Sequence, residues 1–196
     1  MVRKLLKSVR EYKKHSILAP VFVIFEVIME VVIPLLMANL IDFGIDDGNL
    51  EYIVKMGVVL VVFALISLIF GILSGRSAAI ASAGFAKNLR KDMYYKVQNF
   101  SFSNIDKFST ASIVTRLTTD VTNVQNAYMM IIRVAVRAPI MLICALVLAF
   151  NVNSSMALIF LCIVPILAVG LFFIMSKAHP IFERVFKTYD KLNNVV

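Results

Sequence analysis

Glu26 and Glu30 stand inside one apolar run of this sequence, and Arg137 stands inside another with Arg133 at its edge. Each pair is four residues apart, which on a helix places both members on one face. A carboxylate or a guanidinium within hydrocarbon costs several kcal/mol unless it is paired or hydrated, so such residues mark ion or proton sites, substrate contacts or internal salt bridges. Other chemistry is thin. His15 and His179 lie at opposite ends of the chain and read as interfacial residues, and no Ser or Cys has a plausible base partner. The seven glycines, at 44, 48, 57, 71, 75, 84 and 170, never begin Gly-x-x-x-x-Gly-Lys-Ser/Thr, so no phosphate-cradling loop is encoded here.

The elements that carry these charges are membrane helices. Of 196 residues 60% are apolar and only 16% charged, and several apolar stretches reach the ~20 residues that span a bilayer, which excludes a cytosolic globular enzyme. The expected spans are about 17–41, 52–86, 134–150 and 155–175. A cleaved signal peptide does not suit the first, which is too long, carries Glu26 and Glu30 and lacks a small-x-small site. Basic residues set the orientation: Arg3, Lys4, Lys7, Arg10, Lys13 and Lys14 precede the first span, while Asp42, Asp46, Asp47 and Glu51 follow it. The next connection is basic again (Lys87, Arg90, Lys91, Lys96, Lys107, Arg116), as is the tail (Lys177, Arg184, Lys187, Lys191). The N-terminus is therefore expected in the cytoplasm of a multi-pass cell-membrane protein. The net charge of +8, without Trp, belongs to this asymmetry and not to nucleic-acid binding.

Residues 1–15 are expected to form an amphipathic elbow, with Leu5, Leu6, Val9 and Tyr12 on the face that meets the inner headgroup layer; a flexible basic tail is the alternative. Cys144 and Cys162 fall within spans and are expected to stay free. Hydropathy falls after Ala86 but helical periodicity does not: Leu89, Met93, Val97 and Phe100 continue it, and Ile113, Leu117, Val121, Val124 and Tyr128 lead back into the third span. Residues 52–100 and 109–150 would be helices of ~73 and ~63 Å against a hydrocarbon core of ~30 Å, so roughly half of each stands in the cytoplasm. His179-Pro180 is a possible kink in a fourth long helix. Gly71, Gly75, Ala79 and Ala83 form a small-residue row suited to close helix packing, beside Ser74, Ala78, Ser82 and Ala86; general enrichment of small residues in membrane helices is the alternative.

Counted from Ile17, Glu26 lies ~14 Å deep and Glu30 ~20 Å, while Arg137 lies ~10 Å from the inner side of the core. Glu26 is thus expected to pair with Arg137, and Glu30, without a depth-matched arginine, to face a cavity and a cationic substrate, with a helix-to-helix hydrogen bond or protonation as the alternative. Met29, Met37, Met129, Met130 and Met141 suit an adaptable substrate surface, and lipid-facing packing equally.

A helical hairpin projecting far into the cytoplasm behind an N-terminal elbow resembles the first intracellular loop (about 87–133) of the ATP-binding cassette (ABC) exporters. Asn88-Leu-Arg-Lys-Asp-Met-Tyr-Tyr-Lys-Val-Gln-Asn-Phe100 followed by Arg116-Leu-Thr-Thr-Asp-Val121 is similar to that family's pattern. Pro34-Leu-Leu-Met-Ala-Asn-Leu-Ile-Asp-Phe-Gly-Ile45 and Arg133-x-x-x-Arg-Ala-Pro139 resemble its multidrug branch, which often works as a heterodimer. The resemblance covers essentially the whole chain. It implies an all-α, polytopic membrane fold of four long helices with cytoplasmic extensions, with residues 16–196 as a partial transmembrane domain. It implies as partners a nucleotide-binding domain that uses ATP and Mg outside these residues, a second half-transporter, identical or not, the lipid bilayer, and a hydrophobic small-molecule or lipid substrate. The segment itself would not be an enzyme, although its parent would hydrolyse ATP. A secondary transporter or channel subunit using Glu26, Glu30 and Arg137 is the competing reading, and a membrane scaffold or receptor without transport a third.

Under the resemblance Ser103, Asn104, Ile105, Asp106, Lys107 and Phe108 form the coupling helix at the hairpin tip. Ile105 and Phe108 are apolar in a polar turn ~40 Å below the membrane, where a partner must bury them unless they fold back on their own hairpin. Phe108→Ala in the complete transporter is expected to uncouple ATP hydrolysis from transport while leaving insertion intact, measured as transport per ATP hydrolysed; normal coupling would remove this role.

Overall fold

The computed structural model describes residues 5–100 and 110–193, and among them every regular element is helical. A 3-10 elbow helix (Leu6–Tyr12) leads into α1 (Lys13–Leu40) and a π-helical turn (Ile41–Ile45). Next come α2 (Leu50–Gln98), α3 (Thr110–Thr115), a second π-helical turn (Arg116–Asp120), α4 (Val121–Val152) and α5 (Ser154–Asn193). Among the described residues four stretches are long and apolar enough to cross a membrane: Lys7–Ile45, Leu50–Gln98, Ser112–Val152 and Ser154–Ala178. The chain divides at Cys144 and Ala145 into two units.

In the first unit α1 and α2 pack along each other. Gly48, at φ +64°, makes the turn between them in a conformation that side chains resist, and Asn49 starts α2 by accepting a hydrogen bond from the Tyr52 N–H (3.1 Å). Pro20 and Pro34 lie inside α1 and Pro139 inside α4, which membrane helices tolerate because neighbouring groups can satisfy the freed carbonyls. The return leg of the hairpin is not one regular helix, as its periodicity suggested. Its threonines bond back to the chain, Thr118 within the π-helical turn to the Val114 carbonyl (2.8 Å) and Thr122 just after it to the Thr118 carbonyl (2.9 Å). Hydroxyls that compete for the i−4 carbonyl loosen and bend a helix at such a point.

The elbow departs from its expected place. Its apolar face turns onto the legs of its own hairpin: Val9 is buried with Phe85, Ala86 and Leu89 of α2 and Val121 of α4. Polar contacts fix the same joint. The Asn88 amide donates to the Ser8 carbonyl (3.0 Å), the Ser8 hydroxyl donates to Asp92 (3.0 Å), and Arg10 pairs with Asp92 (2.7 Å). Tyr128 stacks near Phe85 (4.7 Å) and donates its hydroxyl hydrogen bond to Ser16 (2.8 Å). Arg10, at φ 40°, holds the sharp bend before α1 in a strained conformation that this network sustains. Docking the elbow thus buries polar groups with their partners in place, each net hydrogen bond contributing roughly 1 kcal/mol.

The second unit holds the end of α4, Asn153 and α5. Asn153 accepts hydrogen bonds from the Ser155 and Met156 N–H groups (3.0 and 3.2 Å), which caps α5. The α5 backbone stays helical through Pro180. Its exposed Phe160, Ile166, Phe172 and Phe173 suit a lipid or protein neighbour and not water.

The tightest joint lies where the Tyr12 ring covers Gly84, leaving no room for a side chain. Gly84→Ala is expected to cost ~1–3 kcal/mol, read as a lower midpoint of unfolding in detergent, and Tyr12→Ala in the same chain should recover part of it. Equal stability of Gly84→Ala and the parent protein would show that the elbow is not docked there.

Candidate functional site

Arg137 reaches from α4 to α1 and binds two carboxylates at once. Its Nη1 lies 2.8 Å from Glu26 Oε1 and its Nη2 lies 2.6 Å from Glu30 Oε2. The two glutamates are one helical turn apart on α1, and the two arms of a planar guanidinium span that gap. Side-chain exposure grades across the cluster, 12% at Glu26, 33% at Arg137 and 41% at Glu30. The expectation that Glu30 lacks an arginine is therefore corrected. Depth counted along helix axes omits the length of the arginine side chain, which here serves both levels.

The second transmembrane helix shapes the cluster from the side. A Cβ at Gly71 would lie 3.2 Å from Glu26 Oε1, so glycine is what lets the carboxylate rest against the α2 backbone. One turn away, a Cβ at Gly75 would lie 3.8 Å from Arg133 Nη1. Arg133 therefore extends toward α2, and among the described residues it has no hydrogen-bond or ion-pair partner. Glu26 Oε2 and the Ser74 hydroxyl are buried without a partner among the described residues.

The small-residue row does not act as one face. Ala79 and Ala83 are exposed, whereas Ser74, Ala78, Ala81, Ser82 and Ala86 are buried. Every-fourth positions advance ~40° around a 3.6-residue helix, so a row that begins against α1 at Gly71 has turned away three steps later. Ala78 and Ala81 pack with Ala19 of α1 and Ile132 of α4. Sequence reasoning also passed over Arg76, a charge inside the second span that the residue string itself displays; it is exposed. The coupling-helix residues Ser103, Asn104, Ile105, Asp106, Lys107 and Phe108 lie outside the described residues. Between α2 and the return leg, Met93, Val97, Phe100, Ile113 and Leu117, with Lys96 and Arg116, line a mostly apolar cavity of about 160 Å³. Among the described residues no group of three or more His, Cys, Asp or Glu is placed to hold a metal ion.

Comparison with known proteins agrees along the whole chain. The family model for the ABC transporter transmembrane region matches residues 16–196. An uncharacterised ABC transporter ATP-binding protein of Bacillus subtilis, YfiB, is 33% identical over 195 residues, covering 100% of this chain and 34% of that protein. An uncharacterised ABC transporter ATP-binding protein of Mycobacterium tuberculosis is 26% identical over 192 residues, 98% of this chain and 33% of its own length. The ATP-dependent lipid A-core flippase of Pseudoalteromonas translucida is 24% identical over 167 residues, 85% of this chain and 29% of the flippase. The chain thus spans about a third of the length of the curated relatives it matches.

Glu26, the most enclosed member of the cluster, should carry more of its stability than Glu30. Glu26→Gln is expected to lower unfolding free energy by ~1–3 kcal/mol, less than the loss for a wholly buried pair because Arg137 keeps Glu30. Arg137→Gln should recover part of that loss in the double variant, measured by a denaturation cycle in detergent. Additive losses would mean that the pair does not couple.

Proposed function

Because the chain belongs to the ABC transporter transmembrane region family, we propose that it is the membrane-spanning part of an ATP-driven exporter, carrying nucleotide-domain motion to a translocation pathway. The observation that carries this reading is the length and anchoring of the hairpin. At 49 residues α2 extends ~73 Å, more than twice the hydrocarbon core, and its far half is bound to the elbow and to α4. A lever of this kind has a use where force arrives from outside the membrane. The residues 103–108 at its tip dock on the nucleotide-binding domain.

In this reading residues 1–15 are the elbow, 16–196 the transmembrane portion and the N-terminus is cytoplasmic, in keeping with the Lys/Arg bias of the loops. ATP and Mg act at the nucleotide-binding domain, and a second half-transporter completes the pathway. The substrate is a hydrophobic small molecule or a lipid; the lipid A-core flippase among the relatives supports the lipid class. Against a secondary transporter or channel, Glu26, Glu30 and Arg137 bind one another instead of lining an open ion route.

The complete protein, reconstituted in vesicles, is expected to hydrolyse ATP and to move a lipophilic dye or fluorescent lipid only when ATP is supplied. Movement driven by an ion gradient without ATP would favour the secondary transporter instead.

A further inference from the structure

The charged cluster is incomplete in a patterned way. Arg137 is shared by two carboxylates, Glu26 Oε2 has no partner, and Arg133, one turn from Arg137, has none either among the described residues. The contacts between α1 and α4 rise together along both helices, from Ser16 with Tyr128 to Glu26 and Glu30 with Arg137, so the two helices run in the same direction. Both acid and base pairs have a spacing of four. Moving α4 by one turn toward its C-terminal end would therefore bring Arg133 to where Arg137 now meets Glu26, while Arg137 keeps Glu30.

We infer that Glu26, Glu30, Arg133 and Arg137 form a two-register charge ladder, in which a one-turn slide of α4 along α1 exchanges one shared arginine for two separate pairs. The surface across which the exchange runs is already cleared. Gly71 and Gly75 stand one turn apart on α2, the first beneath Glu26 and the second beneath Arg133, and neither interposes a side chain. Around the charges the packing leaves room for the slide, since α1 and α2 pack closely along their lengths whereas α4 meets them there chiefly through the side chains of Ile132 and Arg137; at the elbow end the slide also separates Val121 and Tyr128 from Val9 and Phe85. The Tyr128–Ser16 hydrogen bond belongs to the present register and is broken in the other. Discrete registers separated by one helical turn are a known form of bistable element; here the present register pairs three of the four charges and keeps the Tyr128 contacts, and the shifted one pairs all four and gives those contacts up. The inference rests on the exporter reading, since ATP supplies the bias between the two registers.

The test uses the complete protein in lipid nanodiscs, with spin labels at Ile17→Cys on α1 and Ile143→Cys on α4, both exposed and far apart along the helix axes, in a background with all other cysteines, Cys144 and Cys162 included, replaced by Ser. The distance between the labels, measured by pulsed dipolar spectroscopy, should change by about 5 Å between the nucleotide-free and vanadate-trapped states. Arg133→Gln should reduce the shifted population at least ~5-fold, and Arg133→Lys should restore most of it. An unchanged distance in the parent protein that nevertheless hydrolyses ATP overturns the ladder and leaves the exporter reading in place. A shift in Arg133→Gln as large as in the parent also overturns the ladder. If Arg133→Gln does not fold, the parent measurement decides by itself. A parent protein without ATP hydrolysis overturns both.

Discussion

One guanidinium held between two carboxylates inside a membrane is the constraint around which the first three transmembrane helices are arranged. A charge at that depth is tolerated only when another group answers it. Arg137 answers Glu26 and Glu30 together, and in doing so ties α4 to α1 across a helix pair that is otherwise closely packed. Gly71 follows from the same constraint, because any larger residue would crowd the Glu26 carboxylate. The cost of burying these charges is thus converted into a fixed relation between helices that the lipid alone would not order, since apolar contacts between helices and contacts with lipid tails are nearly equivalent.

Toward the elbow end the means of attachment changes. There Phe85, Leu89, Val9 and Val121 form an apolar core, and Asn88, Ser8, Asp92 and Arg10 form its polar border. A core of this kind gains its stability where it is buried from water, a gain that hydrocarbon does not offer. The long helices are therefore joined by ionic contacts at one level and by an ordinary hydrophobic core at the other.

Much of the architecture was legible in the residue string. Four apolar runs and the continuing periodicity after Ala86 each reflect a physical requirement that acts locally, and the helices lie where those requirements put them. The pairing of Glu26 with Arg137 followed from depth alone. Less legible was anything that depended on reach or rotation. Glu30 was left unpaired because side-chain length was not counted, and Ala79 and Ala83 were grouped with Gly71 although helical drift carries them to an exposed face.

The sequence by itself determined that this is an all-helical membrane domain and which residues within it would need partners, because hydrophobicity, helix length and the cost of an unpaired charge are properties of each segment taken alone. The tertiary structure decided the rest: that the elbow folds onto its own hairpin, that Arg137 is shared, and that Arg133 is turned to Gly75. These depend on the rotation and register of one helix against another. Contacts between residues more than a hundred positions apart, as Ser16 is from Tyr128 and Glu26 from Arg137, are set by packing in three dimensions and leave no local pattern to read.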